Sequence, residues 1–297
     1  MPELPEVETV RRGLLAATRD QVIAHVEVLR PQTIAHPPVK KFSTLLPGYR
    51  IMDINRRGKY LLLYLKNNQG QEAYLVIHLR MSGRLLLINK PKKSKANKFL
   101  RLRIVFTSGK ELLFEDVRVF GRFWFVPDTS KLISIVPALA KLGPEPLSGL
   151  TAKQLQTIFA GRRQAIKAAL LNQNLIAGVG NIYADEILFQ AGIHPLKPAG
   201  QLTLTQYGAL AEKIPVVLER AIALGGSSVR DFKDSDGVNG NYQHNAFVYG
   251  RFRQPCRICQ TIIQRIKIAG RSAHFCPQCQ KISKNFGRQN KTKRQRQ

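Results

Sequence analysis

The sequence predicts an α+β chain: an N-terminal helix plus an antiparallel β-sandwich, then a helical region ending in a β-hairpin that carries four cysteines. Three observations predict it. Apolar residues recur at helical spacing near the start. From about residue 22 to 126 they fall in short runs of strand character separated by turn residues. From about 129 to 224 they return to helical spacing. The length of 297 residues suggests two domains rather than one, and a hydrophobic content of 44% suffices for buried cores.

The first helix is expected over about 2–19. Pro5 suits a first turn, Glu6 and Glu8 favour the positive end of the helix dipole, and Val7, Val10 and Leu14 share one face. Leu4 is a poor N-cap, so something other than simple capping must fix this entry. Strands are expected at 22–28, 60–65, 74–79, 84–88, 100–106, 111–114 and 122–126. Turn signals separate them at 67–70, at Ser82-Gly83 and at Ser108-Gly109. Many short strands with regular turns argue for an antiparallel sandwich or barrel. Residues 90–98 hold five lysines and no acid, which reads as a basic surface loop. Further on, Thr151-x-x-Gln154 and Thr203-x-x-Gln206 read as capping boxes. Apolar-striped helices are expected at 164–171 and 182–190, joined by 172–180, and a glycine-rich loop follows at 225–240. The tail, 280–297, has seven basic residues and no acidic one, and is expected to be disordered. The domains are thus 2–130, 131–249 and 250–280, with a tail at 281–297.

The formal net charge is +28, from 47 Lys and Arg against 19 Asp and Glu. An imbalance of this size points to a polyanion, of which DNA and RNA are the commonest. A membrane surface is the main rival, but the basic residues are spread along the whole chain rather than gathered on one amphipathic helix. A merely basic enzyme is the bland alternative. No signal peptide is visible, and no run approaches the ~20 apolar residues of a membrane span.

The cysteines read Cys256-x2-Cys259-x16-Cys276-x2-Cys279. That is four-thiolate zinc spacing, in which each C-x2-C pair lets two sulfurs approach one tetrahedral ion. With all four ligand positions filled by protein, the expected Zn2+ is single and structural; a pair of redox disulfides is the alternative. Ile262, Ile263, Ile266 and Ile268 before Gly270 predict a hairpin closed by the metal. It exposes Arg265, Lys267 and Arg271, and Arg271 beside the tip is either a bidentate phosphate contact or a plain solvated charge.

Three separated stretches carry a resemblance. Pro2-Glu3-Leu4-Pro5-Glu6-Val7-Glu8-Thr9 resembles the N-terminus of the formamidopyrimidine-DNA glycosylases. Residues 178–186, Gly-Val-Gly-Asn-Ile-Tyr-Ala-Asp-Glu, resemble their helix-two-turn-helix signature. Gly270-Arg271-Ser272 with Cys276-Pro277-Gln278-Cys279 is similar to their zinc finger. The resemblance runs from residue 2 to about 280. It implies a bifunctional DNA repair enzyme that acts on damaged double-stranded DNA as a monomer. Such an enzyme excises oxidised purines such as 8-oxoguanine and formamidopyrimidines, then cuts the strand by β,δ-elimination.

The resemblance also assigns roles. Pro2, freed once Met1 is removed, offers a secondary amine whose attack on the sugar C1′ gives a cationic iminium, an electron sink for elimination. An α-amino group titrates near ~8, so a useful fraction is unprotonated at neutral pH. Glu3 is the general acid that protonates the deoxyribose oxygen. Glu6 is a second carboxylate orienting the N-terminus, a role compatible with its helix first-turn position. Lys59, in the turn Arg56-Arg57-Gly58-Lys59-Tyr60, is a proton donor in β-elimination; without the resemblance it reads as an exposed lysine or a phosphate contact. Arg271 contacts the phosphates flanking the lesion, and its electrostatic role outweighs a donor role because a guanidinium hardly deprotonates. A base inside a duplex must be flipped out to be reached. Met81, Arg118 and Phe120 wedge into the gap, with Arg118 facing the orphaned base; core packing is the bland reading for Met81 and Phe120. Asn181, Lys167 and Arg162 hold phosphates, Asn181 through its backbone N–H at a helix start. His78 belongs to the same DNA-binding set, although a packed strand residue is its commoner role. Residues 227–242 resemble the loop that closes over the flipped base.

Arg80, Val117 and Val119 depart from the family pattern, there is no histidine at 98–101, and the tail is long. These leave lesion and opposite-base preference open. Two rivals remain: a non-catalytic zinc-ribbon nucleic-acid binder, which does not explain Pro2-Glu3, and a pyrimidine-specific endonuclease VIII relative, against which Leu4 and the Met81, Arg118, Phe120 set argue. A presequence would block Pro2, so the chain is expected to act in the compartment where it is made, cytoplasmic and associated with the bacterial nucleoid.

Overall fold

The structure, a computed structural model, describes residues 2–89, 97–227 and 242–282. The expectations for most of the lysine-rich loop, for 228–241 of the glycine-rich loop and for the tail beyond 282 lie outside these residues. The chain forms two compact units. One comprises Met1–Leu142 with Ala221–Tyr242, and the other Gly143–Arg220 with Gln243–Gln297.

In the first unit, α1 spans Leu4–Thr18 rather than starting at residue 2. Glu3 stays extended as the N-cap, and its backbone N–H donates to Glu6 Oε2 at 2.8 Å. This carboxylate is what fixes the entry that Leu4 could not. Val7, Val10 and Leu14 are fully buried, as their spacing requires.

Nine strands follow: β1 Ile23–Val28, β2 Ile34–His36, β3 Arg50–Arg57, β4 Tyr60–Lys66, β5 Glu72–His78, β6 Gly83–Ile88, β7 Leu100–Phe106, β8 Glu111–Asp116 and β9 Arg122–Val126. A short helix α2, Val39–Leu45, lies between β2 and β3, and α3, Leu132–Ile135, follows β9. The strands form a four-stranded sheet, β1-β7-β8-β6, and a five-stranded sheet, β2-β9-β5-β4-β3. Every pairing is antiparallel except β2 with β9.

Alternation decides which face is buried. Leu61, Leu63 and Leu65 of β4 join Leu75 and Ile77 of β5, Leu102 and Ile104 of β7, Phe114 of β8 and the α1 stripe in one core. The opposite face of the larger sheet presents Tyr60, Val76 and Val126 to Val136 and Leu139. That second cluster carries the unit past the expected boundary at 130. The Arg57 Nη2 bond to the Leu142 carbonyl, 2.9 Å, closes it.

β2, β3 and α2 were not expected from the sequence. β3 reads Arg-Ile-Met-Asp-Ile-Asn-Arg-Arg, and a register shift between Ile51 and Asp53 breaks its alternation, so three arginines and an aspartate mask the two buried isoleucines.

In the second unit, α4 is Ala152–Phe159, α5 Ile166–Leu171 and α6 Asn181–Gln190; α7 spans Leu204–Ala223, and its residues up to Arg220 belong to this unit. The Thr151 capping box forms as expected. Thr203 and Gln206 make the same reciprocal pair, at 3.1 and 3.2 Å. Gln173 staples the α5–α6 turn by accepting from Gly178 N at 2.9 Å and donating to Val179 O at 2.8 Å. After α8, Tyr242–Asn245, come β10, Gln264–Ile268, and β11, Arg271–Phe275. They form the expected hairpin, turning through Ala269 and Gly270, both with positive φ, as a two-residue primed turn demands. No helix among the described residues is long and apolar enough to cross a membrane.

Candidate functional site

Burying the first turn of α1 brings its acids out of water. Pro2 is buried, and Glu3 and Glu6 are only 2% and 1% exposed. Glu6 spends its two oxygens on different segments. Oε2 holds Glu3 N, and Oε1 accepts from Ser227 N at 2.8 Å and Ser227 Oγ at 3.2 Å. The approach depends on Gly226, whose φ is +79° and where a Cβ would meet the Glu6 carboxylate at 2.8 Å. Glu6 therefore ties the helix start to the beginning of the glycine-rich loop.

Lys59 sits in the β3–β4 turn after Gly58 and is buried. The turn is bound to α1 through Glu8, which accepts from Arg56 Nε at 3.1 Å, Arg12 Nε at 2.9 Å and Arg11 Nη2 at 2.8 Å. Arg56 Nη1 in turn donates to the Gly58 carbonyl at 2.9 Å. Burial works to raise the Glu8 pKa, but its arginine partners prevail and lower it to about 2.

His78 ends β5 inside the protein. Its Nδ1 accepts the Arg80 N–H at 2.9 Å, so the neutral ring carries its proton on Nε2, and it meets Tyr60 edge-on at 4.4 Å. Burial first, then the charges of Arg80 and Lys59, push its pKa down to about 3. His78 is 8% exposed and packed at the strand end, with Nδ1 engaged.

Two loops carry the expected wedge. Met81, half-buried, lies between β5 and β6; Arg118 and Phe120, exposed, lie between β8 and β9. The Arg118 guanidinium stands 4.8 Å from the Phe120 ring centroid. Core packing, the bland reading, does not hold for Phe120, which is 44% exposed.

In the second unit, Asn181 opens α6 after Gly180, and its side-chain Oδ1 is buried without a hydrogen-bond partner among the described residues. Arg162 and Arg271 are exposed. Lys167 is not. Its side chain is fully buried, its Nζ lies 2.7 Å from Asp185 Oδ1, and it also donates to the Ser272 carbonyl. Asp185 Oδ2 accepts the His274 N–H at 2.9 Å and lies 3.0 Å from His274 Nδ1. The phosphate contact expected of Lys167 is thus corrected: the amine is committed to an internal ion pair that ties α5 and α6 to β11. The sequence reading missed Asp185, as it missed Glu186, which accepts the backbone N–H groups of Phe247, Val248 and Tyr249 at 2.8–2.9 Å. Both acids stand inside the 178–186 signature, in a chain poor in acids, which was the available signal.

The four cysteine sulfurs lie within 4.8 Å of one another. Cys259 to Cys276 is 3.4 Å and Cys256 to Cys279 is 3.9 Å. Zn–S bonds of about 2.3 Å set tetrahedral sulfurs about 3.8 Å apart, whereas a disulfide needs about 2.05 Å. The cluster fits a metal and forms no disulfide.

Three family models match in order. They are the formamidopyrimidine-DNA glycosylase N-terminal domain over residues 1–123, the formamidopyrimidine-DNA glycosylase H2TH domain over 142–233, and the zinc finger found in FPG and IleRS over 253–282. The formamidopyrimidine-DNA glycosylase of a Synechococcus species is 46% identical over 284 residues, covering 95% of this chain and 100% of the relative. Among solved structures, the Lactococcus lactis Fpg bound to abasic-site DNA aligns with a TM-score of 0.85 at 37% identity, covering 94% of this chain and 100% of that one. A variant of that protein bound to Fapy-dG DNA aligns with a TM-score of 0.85 at 36% identity, covering 95% and 100%. Matched along nearly its whole length by sequence and by fold, the chain belongs to the formamidopyrimidine-DNA glycosylase family.

Proposed function

We propose that this chain, a DNA glycosylase by family, excises oxidised purines from duplex DNA through a Schiff base at Pro2 and nicks the strand by β,δ-elimination. The observation that carries the reading is the start of α1, where Pro2 lies beside two buried carboxylates, one of which fixes the backbone of the other. The Pro2 amine attacks C1′ as the base leaves, and the resulting iminium draws electrons from the sugar. Glu3, withdrawn from water, delivers the proton that opens the deoxyribose ring. Glu6 holds Glu3 by its backbone N–H and so positions this acid. Lys59 supplies a proton during elimination, and the Glu8–Arg56–Gly58 chain keeps its turn on α1.

Met81, Arg118 and Phe120 fill the space left by the flipped nucleotide. Asn181, Arg162 and Arg271 hold backbone phosphates, with Arg271 suited to a fork contact. Cys256, Cys259, Cys276 and Cys279 hold one structural zinc, which supplies folding energy to the hairpin bearing Arg271 and no chemistry. Similar structures bound to Fapy-dG DNA and abasic DNA support the substrate class. A complex with oxidised-pyrimidine DNA keeps a broader range in view.

The test is incision of duplexes carrying 8-oxoguanine, formamidopyrimidine or thymine glycol. Purine lesions should be released and the strand left with phosphates at both ends of the gap. Incision of thymine glycol alone would overturn the purine assignment.

A further inference from the structure

The two wedge loops each cross between the two sheets, one from β5 to β6 and the other from β8 to β9, and one buried carboxylate holds both. Asp116, fully buried at the end of β8, accepts Ser82 Oγ at 2.5 Å through Oδ1. The same oxygen takes the Arg118 N–H at 3.1 Å, and Oδ2 takes the N–H groups of Phe120 at 2.8 Å and Gly121 at 2.7 Å. Ser82 also accepts the Arg118 N–H, at 3.2 Å, so Met81's neighbour is bonded directly to the backbone of the opposite loop. The Asp116 backbone is itself held, its carbonyl by Arg101 Nε at 2.7 Å and its N–H by Phe99 O at 2.9 Å.

Both loops contain a residue that this arrangement must force. Arg80, next to Met81, has φ +57°, and Val119, between Arg118 and Phe120, has φ +56°. For a β-branched valine this is a strained conformation, which persists only where the surroundings impose it. The bonds to Arg118 N and Phe120 N, on either side of Val119, are what impose it. The two oxygens of Asp116 thus accept from four N–H and O–H donors drawn from both loops.

Resting on the reading of Met81, Arg118 and Phe120 as the wedge, we infer that Asp116 and Ser82 are positioning residues that make the three wedge side chains one preset unit. Neither touches DNA. Ser82 couples the loops, and Asp116 holds the second loop in its strained form. Their effect falls on extrusion of the damaged nucleotide, where a gap in the stack must be filled, and not on the chemistry at Pro2.

The variant to test is Ser82→Ala, which removes the link and leaves the three backbone bonds of Asp116 intact; Asp116→Asn is the harsher companion. Single-turnover excision of 8-oxoguanine from duplex DNA is compared with borohydride trapping on a single-stranded abasic oligonucleotide, which has no stack to fill. Ser82→Ala should slow duplex excision about tenfold or more, since small misplacements of positioning groups cost up to about a hundredfold. Trapping on the single strand should stay within about twofold. Met81→Ala and Ser82→Ala together should cost less than the product of the single effects, because both act through one unit. Equal losses on both substrates, no loss on either, or multiplicative effects in the double variant would each overturn the inference. A wild-type protein inactive on every lesion would instead refute the proposed function itself.

Discussion

Which charged side chains face solvent and which are consumed inside decides what each residue can do. Lys167 and Arg271 look alike in a chain of net charge +28, yet Lys167 is sealed against Asp185 and Arg271 is exposed. Replacing Lys167 by Met should therefore cost about 3–5 kcal/mol in urea unfolding, because Asp185 is left buried without its cation. It should leave the salt dependence of DNA affinity unchanged. Arg271→Ala should do the reverse, lowering the slope of log affinity against log salt by about 1 with little change in stability. His78 gives a pH signature. Its pKa is lowered to about 3 against an ordinary 6.5, so its contribution to stability is full above pH 6.5 and is lost as pH falls through the range toward 3. His78→Gln should therefore flatten that part of the stability curve and leave the activity profile between pH 7 and 8 unaltered. An imidazole that titrates near 6.5 by NMR would contradict this placement.

The elements divide into those with local signals and those without. The hairpin of β10 and β11 was legible because the cysteine spacing, the isoleucines and Gly270 all agree with it, and the metal cluster came with it. The capping boxes at Thr151 and Thr203 were legible for the same reason: both partners sit three residues apart. β3 was not, because its bulge and its arginines hide the period. The entry of α1 was only half legible, since a Glu3–Glu6 pair is a weak pattern until the burial of both is known. The Lys167–Asp185–His274 set was invisible because its members are 18 and 89 residues apart. At this scale the finger makes a prediction. Cys276→Ser should lower bound zinc below one equivalent, measured by elemental analysis, and DNA affinity and lesion cleavage should fall together. Cleavage that survives zinc loss intact would show that the finger does not scaffold Arg271.

Across the whole molecule, composition indicated the class of partner and motifs indicated the chemistry, but neither indicated how the chain partitions. The first unit recruits Ala221–Tyr242 from far along the sequence, and the Ser227 bonds to Glu6 are polar contacts that join the two stretches. Such contacts have no periodicity to reveal them. The residues proposed for catalysis at Pro2, Glu3 and Lys59 all lie in that unit, and the residues proposed to hold phosphates, Asn181, Arg162 and Arg271, lie in the other. Placing the nucleophile at Pro2 is the claim on which the rest depends. It is tested most directly by incubating the protein, its mature start at Pro2 verified by mass, with abasic duplex DNA and borohydride, then digesting with trypsin and nuclease and locating the reduced sugar by mass spectrometry. The account predicts the adduct on the peptide Pro2–Arg11, at its N-terminal nitrogen. An adduct on the peptide containing Lys59, or strand cleavage with no adduct at all, would contradict it.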